Sequence, residues 1–128
     1  MKLRIDHVAL WVRDLERMRE FYVRTFGGTS GALYHNAATG FRSYFVTLAE
    51  GARVELMQMP GVPARKPGDM TGYAHIALSA GGREAVDAGV ARLRARGVTI
   101  VSEPRETGDG YYEAVVLDPE GNRIEFSA

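Results

Sequence analysis

Two stretches of the chain are repeated at almost the same offset, and that duplication constrains the fold more than any other feature. Asp6-His7-Val8-Ala9-Leu10 aligns with Ala74-His75-Ile76-Ala77-Leu78, an offset of 68 residues. Glu50-Gly51-Ala52-Arg53-Val54-Glu55-Leu56 aligns with Glu120-Gly121-Asn122-Arg123-Ile124-Glu125-Phe126, an offset of 70. A period near 70 is too long for a solenoid and suits duplication of a small α+β unit. With 128 residues, the chain has room for two such units and little else.

Local patterning gives each half the same order of elements. Residues 3–12 alternate and are rich in Ile, Val and Leu, which predicts a strand. Asp14 suits the N-cap of a helix carrying Leu15, Met18, Phe21, Tyr22 and Phe26, with Gly27 as its stop. Three further strands are expected at 29–34, 42–48 and 53–58, broken by Gly40 and Glu50-Gly51. Residues 59–72 hold three prolines and three glycines and read as a linker. The second half then offers a strand at 73–79, a helix at about 83–96 ending at Gly97, and strands near 98–101, 111–117 and 123–127. Asp118-Pro119-Glu120-Gly121-Asn122 is a turn sequence between the last two. The expectation is one α+β domain of two βαβββ modules, about 1–58 and 73–128. Together they would form a cupped mixed sheet with its helices outside.

Strand parity indicates which residues share a face. His7, Ala9 and Trp11 oppose Val8, Leu10 and Val12; His75 and Ala77 oppose Ala74, Ile76 and Leu78. Glu55 lies between Val54 and Leu56, and Glu125 between Ile124 and Phe126. All four of these polar residues therefore fall opposite the faces expected to pack under helices. A single His in a strand is more often a core residue, and a single Glu a solvated charge. Here the same two residue types recur at equivalent places, and packing gives no reason to retain four polar groups on a cavity wall. The pattern points to a divalent metal site of His7, Glu55, His75 and Glu125. With no cysteine in the chain, only His, Asp and Glu can hold the ion. Two imidazoles and two carboxylates suit nickel, zinc, cobalt, manganese or iron, and leave octahedral positions for water or substrate.

Other candidates carry two readings each. Trp11, Phe45, Met57 and Tyr73 either line a substrate pocket or belong to the core. Arg105, expected in a loop at 103–110, either holds a substrate anion or is solvated. His35, in the expected loop 34–40, has no partner at the repeat offset and reads as a surface residue. Sixteen acidic residues balance sixteen basic ones, which removes the electrostatic case for nucleic acid or an anionic membrane. No apolar run is long enough to span a bilayer, and the lack of cysteine fits a cytoplasmic location.

These residues resemble the vicinal oxygen chelate superfamily over nearly the whole chain. Its members include glyoxalase I, extradiol dioxygenases and bleomycin resistance proteins. Tyr73-Ala74-His75-Ile76-Ala77-Leu78-Ser79 and Asp118-Pro119-Glu120-Gly121-Asn122-Arg123-Ile124-Glu125 are similar to stretches of bacterial glyoxalase I. The order His-Glu-His-Glu matches the ligand set of that subgroup. The resemblance implies a metal-dependent lyase or isomerase that moves a proton through a metal-stabilised enediolate. Its substrate would be a hemithioacetal or a related carbonyl compound. Glu125 would be the base, with Glu55 its symmetry-related partner. It also implies a homodimer, in which modules pair within one chain or across two. Two departures bear on the substrate. Trp11 stands where an Arg commonly helps to hold glutathione, and Met59 where an Asn does. The alternatives are a small-molecule binding or resistance protein without a metal, and a ring-cleaving dioxygenase.

Overall fold

The computed structural model describes residues 1–128 and divides into two compact units, Met1–Arg65 and Lys66–Ala128. The first contains β1 (His7–Trp11), α1 (Leu15–Phe26), β2 (Thr29–Ser30), β3 (Tyr34–Asn36), β4 (Phe41–Thr47) and β5 (Arg53–Gln58). The second contains β6 (His75–Ser79), α2 (Arg83–Ala95), β7 (Ile100–Glu106), β8 (Tyr112–Leu117) and β9 (Arg123–Ser127). The α+β class and the repeated modules read from sequence are therefore present, with one mixed sheet in each unit.

In the first unit the sheet order is β1-β5-β4-β2, with β3 also pairing on β4. β1 runs parallel to β5, and β4 antiparallel to it. The second unit has the order β6-β9-β8-β7, with β6 parallel to β9 and β8 antiparallel to β9. Each helix carries the chain from the first strand of its unit across to the far edge, β2 or β7, and the antiparallel strands that follow bring it back to β5 or β9, beside that first strand.

Each helix covers one face of its sheet. Asp14 caps α1 by accepting a hydrogen bond from the Arg17 N–H at 3.1 Å, and Gly27 ends it with φ 71°. Leu15, Met18 and Tyr22 are buried, as are Val46, Val54 and Leu56 of the sheet. In the second unit Val86, Val90 and Leu93 of α2 are buried with Ala114, Val116, Ile124 and Phe126. Fully burying each large aliphatic side chain contributes about 1.5–3 kcal/mol before entropy is counted. The even-numbered residues of β5, β8 and β9 do this work. Their odd-numbered neighbours are left to the opposite face.

Several boundaries differ from the expectation. The strand expected at 29–34 is interrupted at Gly31–Leu33, giving two short strands. His35 consequently lies in β3, paired with Arg42, and not in a loop. β1 begins at His7 and β6 at His75, so Ile5 and Tyr73 precede their strands. β7 extends to Glu106, which places Arg105 in a strand. No helix is long and apolar enough to cross a membrane.

Candidate functional site

Parallel pairing sets His7 opposite Arg53 and Ala9 opposite Glu55. In the second unit it sets His75 opposite Arg123 and Ala77 opposite Glu125. The two registers are the same position for position. In each, His and Glu are diagonal neighbours on the face away from the helix, within reach of one another. His7 Nε2 lies 3.7 Å from Glu55 Oε1, and His75 Nε2 lies 3.3 Å from Glu125 Oε2. Both glutamate side chains are mostly covered, whereas the imidazoles are 38% and 42% exposed. Each unit thus holds one His–Glu pair. Nowhere does a group of three or more His, Asp or Glu able to hold a metal gather.

The pairs differ in what stands behind them. His7 Nδ1 is 2.9 Å from Asp6 Oδ2, and the Arg53 guanidinium donates to the same oxygen at 2.6 Å. With Asp6 as acceptor, a neutral His7 imidazole would carry its proton on Nδ1 and present Nε2 toward Glu55. The hydrogen bond from His7, then that from Arg53, holds the Asp6 carboxyl below its ordinary range. Arg53 also lies over the Phe45 ring at 4.4 Å, and Phe45 meets His7 edge-on at 5.2 Å. Ala74 takes the place of Asp6 in the second unit and offers His75 no such acceptor.

Glu113 is a site residue that sequence reading missed. β8 pairs Val115 with Glu125 and Glu113 with Ser127, so Glu113 shares the face that carries Glu125. Burial, and secondarily a hydrogen bond with the Glu125 carboxyl, pushes Glu113 above the usual carboxylate range. Only its odd-number parity with Glu125 hinted at this, and that needs the β8–β9 register to be read. Arg105 pairs with Glu113 across β7–β8 and moderates that shift. Of the other pocket candidates, Trp11 and Met57 are register partners at the end of β1 and β5, on the same face as His7 and Glu55. Tyr73 is fully exposed and precedes β6, so it belongs neither to the core nor to the strand expected at 73–79.

A fold of this kind, carrying paired His and Glu on the faces opposite two crossover helices, is one that comparison can place. The model of the Glyoxalase/Bleomycin resistance protein/Dioxygenase superfamily matches residues 4–126. The chain belongs to that superfamily. Among solved structures it is similar to the trypanothione-dependent glyoxalase I of Leishmania major, with 26% identity and a TM-score of 0.79, covering 98% of this chain and 86% of that one. Glyoxalase I from Zea mays is 24% identical with a TM-score of 0.80; the alignment covers 97% of this chain and 44% of the maize chain. A glyoxylase/bleomycin resistance protein/dioxygenase domain from Frankia sp. has a TM-score of 0.84 at 18% identity, covering 99% of this chain and 98% of that one. No curated protein sequence matches.

Proposed function

We propose that the chain is a metal-dependent, glyoxalase I-like enzyme that isomerises a hemithioacetal or a related hydroxycarbonyl compound by proton transfer. The observation that carries this reading is the identical register of the two His–Glu pairs. One pair supplies two donors, fewer than a divalent ion takes from its protein. Both pairs together, from one chain or from two, give two imidazoles and two carboxylates, which neutralise a dication. The donor set fits nickel, zinc, cobalt, manganese or ferrous iron. When bound, such an ion supplies Lewis-acid polarisation of adjacent substrate oxygens.

The chain's own residues do the rest. Glu125 takes the proton from the carbon that bears the hydroxyl and returns it to the neighbouring carbonyl carbon. A hemithioacetal becomes a 2-hydroxy thioester in this way, with no oxidant, reductant or water consumed. Glu55, equivalent by the repeat, would be the second carboxylate donor, and His7 and His75 would hold the ion as neutral imidazoles. The likeness to the Leishmania major glyoxalase I, at 26% identity, supports the reaction class.

Metal content followed by a screen of hemithioacetals made from several thiols tests the proposal. Purification without a metal-binding tag should give close to one divalent ion per pair of modules. Glu125→Gln should lower turnover by about 10²–10⁴-fold while much of the metal is retained. Full activity in that variant would remove Glu125 from its role. A chain that takes up neither nickel nor zinc would instead be a metal-free binding protein, and oxygen uptake with ferrous iron and a catechol would mark an oxygenase.

A further inference from the structure

The repeat duplicates the His–Glu pairs but not their surroundings. One register step beyond Glu55, a row of side chains crosses four strands of the first unit: Tyr34 on β3, Ser43 on β4, Met57 on β5 and Trp11 on β1. The equivalent row beyond Glu125 is Arg105 on β7, Glu113 on β8, Ser127 on β9 and Ser79 on β6. Apart from the buried Ser43, the first row is aromatic and apolar. The second is charged and hydroxylic. Duplication explains the shared pairs and leaves this contrast to be explained by something else.

Phe41, also on the face away from α1, ties the first row together. Trp11 meets it edge-on at 6.1 Å and 88°, and Tyr34 lies at 6.0 Å and 58°. These rings and Met57 form a platform that leaves Trp11 47% and Tyr34 56% exposed. Successive same-face residues on a strand are about 7 Å apart, and four strands span about 14 Å. The platform is thus broad, made of rings set at angles to one another, and it begins about 7 Å from the Glu55 side chain. Exposed aromatic surface of this extent has a cost in water that a bound apolar group would relieve. No charged side chain lies on this row, so it offers a carboxylate no counter-ion.

We infer that the substrate carries an aryl or equally flat apolar group, seated on Trp11, Phe41, Tyr34 and Met57 beside the His7–Glu55 pair. This rests on the proposed function, because the substrate's vicinal oxygens must be held at the metal for its side group to lie one step along the strands. The substrate class is therefore an aryl-substituted carbonyl adduct, and not one dominated by a charged peptide thiol.

Trp11 is the only tryptophan, so its fluorescence reports on the platform directly. The probes are acetohydroxamate and benzohydroxamate, which present the same vicinal oxygens and differ in a methyl against a phenyl group. With nickel-loaded protein, benzohydroxamate should bind at least about tenfold more tightly and change Trp11 emission, since only it reaches the rings. Trp11→Ala should keep its metal stoichiometry and lose that preference. Phe41→Leu should reduce it, with Trp11 still available as the reporter. Equal affinities with metal bound, or a phenyl preference unchanged in Trp11→Ala, would overturn the platform and leave the metal reading intact. Failure of both hydroxamates to bind the metal-loaded protein would overturn the platform and the metal reading together. Trp11 already shielded from acrylamide in ligand-free protein, and unmoved by benzohydroxamate, would show that another copy of the chain covers the platform, which also overturns it.

Discussion

Asp6 shows at the scale of one residue how two copies of a pair come to differ. Its carboxylate accepts from His7 Nδ1 and is itself fixed by Arg53, so His7 is held with Nε2 free to ligate. His75 has Ala74 at the corresponding place and lacks this support. An oxygen acceptor behind an imidazole both selects its tautomer and raises its basicity. Asp6→Ala should therefore weaken nickel affinity by about 10–100-fold, the usual cost of losing such a partner. Calorimetric titration of the metal-free protein checks this. An unchanged affinity would mean that His7 is held by Phe45 packing alone. Asp6 gives up its proton easily because His7 and Arg53 favour the anion. Its contribution to folding is thus present above the ordinary carboxylate pKa and fades as the pH falls through the lowered one.

At the scale of elements, the two His–Glu pairs were legible wherever parallel pairing and strand parity decide them. His7, Glu55, His75 and Glu125 could be set on one face of their strands because β1–β5 and β6–β9 are half-buried strands with clean alternation. Arg105 was misread as a loop residue since Pro104 and the glycines at 108 and 110 look like breakers. β7 is an edge strand, where a proline costs no ladder hydrogen bond, and register shifts along it absorb the irregularity. Glu113 escaped notice because its nearness to Glu125 depends on the β8–β9 register, which no short motif encodes. Gly89 escaped notice for a similar reason. A Cβ there would lie 2.6 Å from Cε1 of Phe126, so the glycine lets α2 sit down on β9 next to Glu125. Gly89→Ala should destabilise the fold by about 1–3 kcal/mol despite alanine's better helix propensity. Adding Phe126→Leu should recover part of that loss, because the clash is with the ring. Urea unfolding of the single and double variants measures both effects. A neutral or stabilising Gly89→Ala would mean that the helix shifts freely on its sheet.

For the whole molecule, the proposed metal site requires two modules, which come from one chain or from two. Each unit has its own core under its own helix, and each carries only half of the donors. A closed two-fold dimer offers the same two kinds of surface twice, so a site built from module one of one chain and module two of its partner costs no new interface type. Two dead variants separate this arrangement from pairing within a chain. His7→Ala with Glu55→Ala inactivates the first module, and His75→Ala with Glu125→Ala the second. If modules pair across the dimer, a mixed dimer has one site with all four substitutions and one with none. Unfolding and refolding the two variants together should then restore about one quarter of the wild-type number of sites, since half of the dimers are mixed and each has one intact site. Metal content and turnover both count them. No recovery on co-refolding, with mixed dimers confirmed by mass, would assign both modules of a site to the same chain. The exchange also bears on the aromatic platform. Recovered sites combine an intact first module with an intact second one, so they should keep the phenyl preference in full, and Trp11→Ala should erase it only when placed on the chain whose first module is intact.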